Sequence, residues 1–220
     1  MTLKYHIPFF IIFLAAVLFA VQVPADDQLD QLENIIKKIE PFSTTFSQEY
    51  FDAFQGKTIQ SKGLLKFMQP GLMAWSYQEP EEMLFVVGKE FAWLYDPIME
   101  NVTIQELDKI SGIKSMRFLS KDENISQHFI TTTPQAILVE VSEGQYAMFL
   151  KPVQPNPSLA ELQIVFDPAK SEIRQFVIID HNSSYRRVTF EDVKQDPTLN
   201  VSDFEFIVTE DMEVIQGIGN

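Results

Sequence analysis

The sequence predicts a mainly β (α+β) domain of about eleven antiparallel strands and two short helices. Apolar residues recur at every second position through most of the chain after Phe42, which is the period of a β-strand. Glycine, proline and Asp-Pro pairs interrupt these segments at hairpin-length intervals. Several strand candidates are apolar at every position, so both faces of the predicted sheet must be covered.

The first 25 residues have the pattern of a secretory signal peptide. Lys4 supplies a positive charge, residues 7–21 form an apolar run, and small residues precede Asp26. A transmembrane anchor is the competing interpretation, but a helix that spans a bilayer needs about 20 apolar residues. We therefore expect cleavage near Ala25, one mature domain over residues 26–220, and a periplasmic location. The chain has no cysteine, so its stability in an oxidising compartment has to come from core packing.

Two segments have helical rather than strand-like spacing. Leu29, Leu32, Ile36 and Ile39 would share one face of a helix, which Pro41 ends. Helical spacing returns between residues 110 and 119 and predicts a second helix. The strand candidates are residues 43–51, 59–68, 71–77, 83–87, 91–95, 102–107, 136–141, 145–151, 162–166, 173–179, 185–190 and 204–208.

The excess of apolar residues predicts a curved sheet. Residues 83–87, 91–95, 136–139 and 176–179 are apolar throughout. Two helices of about 12 residues are each only about 18 Å long, too short to cover a sheet of this size. A sheet curved around its own side chains, with the helices closing the opening, would bury this surface. A partly filled apolar concave face would bind an apolar ligand, whereas a fully packed sandwich or barrel without a ligand satisfies the same pattern.

The composition argues against nucleic-acid binding and against catalysis. The formal charge is −14, whereas phosphate backbones are bound by basic patches. His128 and His181 have no second histidine or cysteine at metal-ligand spacing, and no nucleophile elbow, zinc-protease motif or phosphate loop occurs. Asp180, His181 and Ser183 contain the residue types of a triad, but as neighbours at a strand end their side chains diverge. We therefore predict a protein that is not an enzyme and uses no cofactor or metal.

An ordered set of short motifs lies in residues 62–97, KGLLKFMQPGLMAWSYQEPEEMLFVVGKEFAWLYDP. It contains a Gly-x-Leu strand, a polar residue before proline, a Leu-x-x-Trp strand, a hairpin, and an aromatic strand that ends in Tyr-Asp-Pro. The passage IEPFSTTFSQEY at residues 39–50 and the strands of residues 162–206 extend the pattern. This arrangement resembles the periplasmic outer-membrane lipoprotein carrier family, LolA.

The resemblance implies an unclosed antiparallel β-barrel with a short helical lid over an apolar concave face. It implies a periplasmic chaperone, acting as a monomer and without covalent chemistry, that binds the acyl chains of lipoproteins. Its implied partners are acylated lipoproteins, an inner-membrane ABC lipoprotein-release complex and an outer-membrane lipoprotein acceptor. The predicted acyl-chain cavity is lined by three residues from the resemblance, Ile36, Met73 and Trp75, and by three added from the apolar pattern, Trp93, Ile113 and Met116.

At one position the sequence departs from the family pattern. Family members have an arginine before the proline, which tethers the lid through hydrogen bonds to the lid backbone, and this chain has Gln69 there. A glutamine amide offers two donors and no charge, whereas a guanidinium offers five donors. We therefore hypothesise that Gln69 occupies the latch position and closes the lid more loosely.

Other functions are compatible with the same pattern. One is a lipid-sensing interaction domain of an envelope regulator, although such sensors usually carry a second domain. Another is a general periplasmic lipid-binding protein. An enzyme that acts on lipids is the least favoured alternative, because no motif in the sequence combines a nucleophile with a neighbouring base.

Overall fold

The structure, a computed structural model, describes residues 25–110 and 124–217. Residues 1–24 of the predicted signal peptide and the part of the predicted second helix that holds Ile113 and Met116 lie outside these residues. The described helices are α1 (Ala25–Lys37), α2 (Ile125–His128) and 3-10 turns at Leu107–Lys109 and Val201–Phe204. The described strands are β1 (Phe42–Asp52), β2 (Lys57–Met68), β3 (Leu72–Glu79), β4 (Met83–Val87), β5 (Phe91–Asp96), β6 (Asn101–Glu106), β7 (Phe129–Thr131), β8 (Tyr146–Pro152), β9 (Glu161–Asp167), β10 (Glu172–Ile179), β11 (Tyr185–Gln195) and β12 (Glu213–Gln216).

The described strands form one sheet in the order β12-β6-β5-β4-β3-β2-β1-β11-β10-β9-β8-β7. Strand neighbours are antiparallel, except that β12 pairs with β6 in parallel. β1 joins the two halves of the sheet, because it pairs with β2 on one side and with β11 on the other. Within this sheet β12 and β7 are the edges, so the barrel is not closed. The predicted mainly β, unclosed architecture is confirmed.

The sheet curves around one large apolar core. Trp75 on β3 and Phe190 on β11 are separated by β2 and β1, yet their ring centroids are 6.3 Å apart. In a flat sheet with about 4.8 Å between strands, these positions would be about 14 Å apart. The same core includes Phe46 of β1, Phe176 of β10 and Leu150 of β8. Side chains from both halves therefore meet on one concave face.

The outer face of the sheet is covered by two irregular segments rather than by helices. Residues 196–207 follow β11 and place Phe204, which is fully buried, against Leu72, Ala74 and Val86. On the other half of the sheet, Val139 packs against Val165 and Val177. These two segments account for the strands that are apolar on both faces.

Two predicted strands are wrong, because distant parts of the chain satisfy their backbone groups. Residues 136–141 lie along the outer face of β9 and β10 without joining the ladder. The N–H of Leu138 donates to the Gln163 side chain at 2.9 Å, and the N–H of Glu140 donates to the Gln175 side chain at 3.0 Å. The Leu138 carbonyl accepts from Arg187 at 3.0 Å.

The predicted strand over residues 204–208 is the second error. This segment begins at Phe204, the last residue of the 3-10 turn Val201–Phe204. The Asn200 side chain caps the N-terminus of that turn. Phe204 then inserts into the outer apolar cluster, so its burial reflects packing and not strand pairing. The strands β7 and β12 were not predicted. None of the helices in residues 25–110 and 124–217 has the length and apolar character needed to cross a membrane.

Candidate functional site

α1 lies on the concave face and fills part of it. The helical period places Leu32, Ile35 and Ile36 on one side, and all three are buried in the main core. Asn34 and Lys37, on the opposite side, are exposed. The helix therefore covers apolar sheet surface with its own apolar stripe, as the sequence predicts for the first helix.

The turn between β2 and β3 contacts the backbone of α1. Gln69 donates from its side-chain Nε2 to the carbonyl oxygen of Ile36 at 3.0 Å. That carbonyl also accepts the backbone N–H of Ile39 at 3.3 Å, at the point where the chain leaves the helix. Gln69 thus stands at the position predicted for the latch and reaches the predicted lid.

A cavity of about 140 Å³ opens beside the C-terminal end of α1. Its size is close to that of a cavity that holds one benzene molecule and below the range of about 300–1,000 Å³ for ligand pockets. A larger apolar ligand would therefore fit only if α1, which covers the concave face, moved. The cavity is lined by Ile39, Phe42, Leu65, Phe67, Met73, Trp75, Ile173, Phe190 and Val193, with Lys38, Glu40, Lys170, Ser171, Glu172 and Gln195 contributing polar groups.

The cavity lies toward one end of the sheet, and aromatic packing borders it on the side of the other end. The antiparallel register brings the β2–β3 turn, the β9–β10 turn and the end of β11 to the same end. At the other end, Phe46 packs edge-on against Trp75 and Tyr77. Tyr77 donates to the side-chain oxygen of Gln48 at 3.2 Å. Burial raises the pKa of Tyr77, so the phenol stays neutral and remains a donor.

The structure brings three of the predicted cavity residues to the concave face. Met73 and Trp75 line the cavity, and Ile36 packs in the same core. The prediction for Trp93 is wrong: Trp93 pairs with Val86 and packs in the outer cluster with Phe204. β5 is apolar on both faces, so its pattern did not reveal which alternate side chains point inward. Ile113 and Met116 lie outside the described residues.

Other cavity residues were not predicted. Phe42, Ile173, Phe190 and Val193 line the cavity from β1, β10 and β11, and β1 is far from the other two strands in the sequence. The predicted strands include Ile173 and Phe190 and stop short of Phe42 and Val193, and the apolar pattern does not indicate a shared pocket. The strand register supplied the missing information, because β1 pairs with β11 and β11 pairs with β10.

The polar groups that could suggest chemistry serve the fold. Asp180 accepts the backbone N–H groups of Asn182 and Ser184, at 3.0 and 2.9 Å, within the β10–β11 turn. His181 contacts the carbonyl oxygen of Asn156 with Nε2 at 2.8 Å. Across residues 25–110 and 124–217 there is no group of three or more His, Cys, Asp and Glu side chains arranged to hold a metal ion.

The sequence profile of one protein family, described as outer membrane lipoprotein carrier protein LolA, matches residues 37–207. The chain belongs to the LolA family. It is 30% identical over 196 residues to the outer-membrane lipoprotein carrier protein of Pseudomonas paraeruginosa. The aligned region covers 87% of this chain and 90% of the relative. It is 27% identical over 211 residues to the protein of that name from Azotobacter vinelandii, with 94% and 98% covered.

A solved structure shares the fold of this LolA-family chain. An uncharacterized conserved protein from Thermus thermophilus superposes with a TM-score of 0.51 at 14% identity, covering 88% of this chain and 99% of the other. The LolA match itself begins at Lys37, the last residue of α1, and extends beyond Phe204. It therefore includes the cavity walls, Gln69 and the outer cover of β3 to β5.

Proposed function

We propose that this LolA-family protein is a periplasmic chaperone that binds the acyl chains of lipoproteins released from the inner membrane and carries them to the outer membrane. The observation that carries the proposal is the concave face, where an amphipathic helix occupies apolar sheet surface beside a small apolar cavity. Family membership and the names of the relatives support lipoproteins as the cargo. A general lipid carrier would share this geometry, so the nature of the cargo is the quantity to measure.

Binding would work by exchange of apolar surfaces without covalent chemistry. In the structure Leu32, Ile35 and Ile36 of α1 cover the concave face. When α1 moves aside, acyl chains replace these side chains and contact Met73 and Trp75. Gln69 holds the helix closed until this exchange occurs.

The energetics favour a carrier that covers its cargo only in part. Full burial of one chain of about 16 carbons would contribute about 12 kcal/mol at about 0.8 kcal/mol per CH₂. Three such chains would exceed the practical ceiling of about 20 kcal/mol for non-covalent binding. A protein that buried the whole lipid anchor would not release it. An open barrel that must also displace its own helix gains less from binding, and transfer becomes possible.

The proposed route determines the partners. The N-terminal signal would direct the chain through the inner membrane, leaving residues 26–220 in the periplasm as a monomer. An inner-membrane ABC lipoprotein-release complex would supply the acylated lipoprotein, and an outer-membrane lipoprotein acceptor would receive it.

Native mass spectrometry of the protein purified from its own periplasm tests the proposal. We expect an adduct whose mass equals a triacylated lipoprotein, and binding of a synthetic triacylated lipopeptide by the purified protein. Val193→Trp places a large side chain in the cavity lining and should weaken lipopeptide binding by about tenfold, or roughly 1.4 kcal/mol. Val214→Trp, on the exposed edge strand β12, is the matched control and should bind normally.

Two outcomes would contradict the proposal. Adducts of free phospholipid or fatty acid alone would identify a general lipid carrier. A protein that carries no adduct and fails to bind the lipopeptide would remove the acyl-chain function altogether.

A further inference from the structure

The way α1 is attached to the sheet decides how readily the concave face opens. We infer that Glu33 and Ser126 form a tether that positions α1 and controls the entry of apolar ligands in this chain. The effect on ligand entry rests on the proposed function, whereas the effect on α1 rests on the contacts alone.

The tether joins the middle of α1 to α2. Glu33 accepts two hydrogen bonds on Oε1, from the backbone N–H of Ser126 at 3.0 Å and from its Oγ hydroxyl at 2.6 Å. The Glu33 side chain is only 14% exposed. Hydrogen bonds to a carboxylate are about twice as strong as bonds between neutral groups.

Ser126 is a fixed point on the wall of the barrel. Its neighbour Ile125 and the first residue of β7, Phe129, are both buried in the main core. The N–H groups in the first turn of a helix have no acceptor within the helix, and Asn124, the N-cap residue of α2, makes no capping hydrogen bond with its side chain. Glu33 of α1 therefore acts as the acceptor that a capping side chain of α2 would otherwise provide.

The tether and Gln69 hold α1 to opposite parts of the sheet. Gln69 lies in the β2–β3 turn of one half, and α2 leads directly into β7, the edge strand of the other half. α1 thus spans the concave face and is attached on both sides. Because Gln69 contributes a neutral amide and Glu33 a carboxylate, the Glu33 contact is the stronger barrier to displacement.

The pairing of Glu33 with Lys37 does not replace this role. Their Oε2 and Nζ atoms are 3.9 Å apart, one helical turn apart on α1. A contact within one helix moves with that helix and does not hold it to the sheet. At 3.9 Å and with an exposed Lys37 side chain, the pair also contributes little to stability.

Hydrogen exchange of the full chain without lipid tests the tether directly. In Glu33→Ala we expect the amides of α1 to exchange about tenfold faster, the size of effect that loss of hydrogen bonds to a charged group produces. Ser126→Ala, which removes the hydroxyl donor but keeps the backbone N–H, should give a smaller increase of about threefold. The double variant should match Glu33→Ala, because both changes remove the same contact.

Asp30→Ala is the matched control. Asp30 is an exposed acidic residue of the same helix. Its replacement by alanine removes one negative charge from α1, as Glu33→Ala does, and leaves the tether intact. Alanine is the best helix former, so faster exchange in Glu33→Ala would reflect lost attachment and not a weaker helix. Asp30→Ala should exchange like the wild type.

Stopped-flow association with the apolar dye N-phenyl-1-naphthylamine gives the second measurement. Dye should enter Glu33→Ala about tenfold faster, in parallel with the exchange of α1. Unchanged α1 exchange in Glu33→Ala and Ser126→Ala would overturn the tether. Faster exchange with unchanged dye entry would overturn its control of the ligand, even though the contact holds the helix. Failure of the proposed function would look different: the wild type itself would then bind neither dye nor lipopeptide, or would carry only free lipid in the mass-spectrometric test.

Discussion

The two faces of the sheet are both covered, but by different kinds of element. On the inner face, α1 is held by the apolar contacts of residues such as Leu32, by the hydrogen bond that Gln69 donates to its backbone, and by the hydrogen bonds that its own Glu33 accepts. On the outer face, residues 196–207 lie between β11 and the segment that leads to β12, two strands of the same sheet. A helix held by side chains can leave as a unit, whereas a segment between two paired strands cannot leave without disturbing their pairing.

This difference separates the proposed binding surface from the structural core. Both faces carry buried aromatic and aliphatic residues, so apolar content alone does not distinguish them. The cavity lies on the face whose cover is attached by side chains. Apolar surface under a helix that can move is available to a ligand. Apolar surface under a segment fixed between two paired strands stabilises the fold.

The largest expected effect tests the outer cover. Phe204 is fully buried against Leu72, Ala74 and Val86, so Phe204→Ala should lower the free energy of unfolding by about 3–5 kcal/mol. Urea denaturation at neutral pH measures this change. Ile207→Ala, at a position that is 80% exposed, is the control and should stay within about 0.5 kcal/mol of the wild type. A loss of less than about 1 kcal/mol in Phe204→Ala would mean that the outer segment is as easily removed as α1.

The sequence was sufficient for features that depend on local periodicity. Alternation predicted most of the strands of the meander, and helical spacing predicted that Leu32 and Ile36 of α1 face the same way. Met73 and Trp75 came from a resemblance over ordered motifs, and their shared face follows from their separation by one residue on β3. These inferences needed no knowledge of distant neighbours.

Features that depend on distant partners were not predictable in this way. The sequence predicts the wrong face for Trp93 because residues 91–95 of β5 are all apolar. Residues 136–141 were assigned to a strand because their polar partners, Gln163 and Gln175, lie 25 and 35 residues further along the chain. The Glu33–Ser126 contact, between residues 93 positions apart, has no local signal at all.

An intermediate effect tests the attachment on the inner face. Gln69→Arg would restore the charged donor that the family pattern has at this position, and we expect it to hold the Ile36 carbonyl more strongly. Entry of an apolar dye should slow by about threefold to tenfold, measured by stopped-flow association. Gln69→Ala should instead speed entry. Equal entry rates for Gln69→Arg and the wild type would show that this turn does not control the cover.

The smallest expected effect is a loosening of the outer segment in acid. Asp203 accepts the backbone N–H of Asn200 at 2.9 Å and lies 3.3 Å from the Lys66 ammonium. The hydrogen bond from Asn200, with a further contribution from Lys66, lowers the pKa of Asp203. A carboxyl whose pKa is lowered by folding stabilises the folded state above its unfolded value of about 3.9. That contribution is lost as the pH falls through the folded value.

Amide exchange of residues 200–206, corrected for the intrinsic pH dependence, measures this change between pH 6 and pH 3. Protection should fall with acid, and by less than about fivefold because the groups are exposed to solvent. Asp203→Asn should be less protected at pH 6 and should lose the acid-dependent part, while Glu210→Gln, at an exposed position nearby, should keep it. If Asp203→Asn retained the full acid response, a carboxyl other than Asp203 would be responsible for it. In that case, the charge of Asp203 would contribute nothing to holding the outer segment against the sheet.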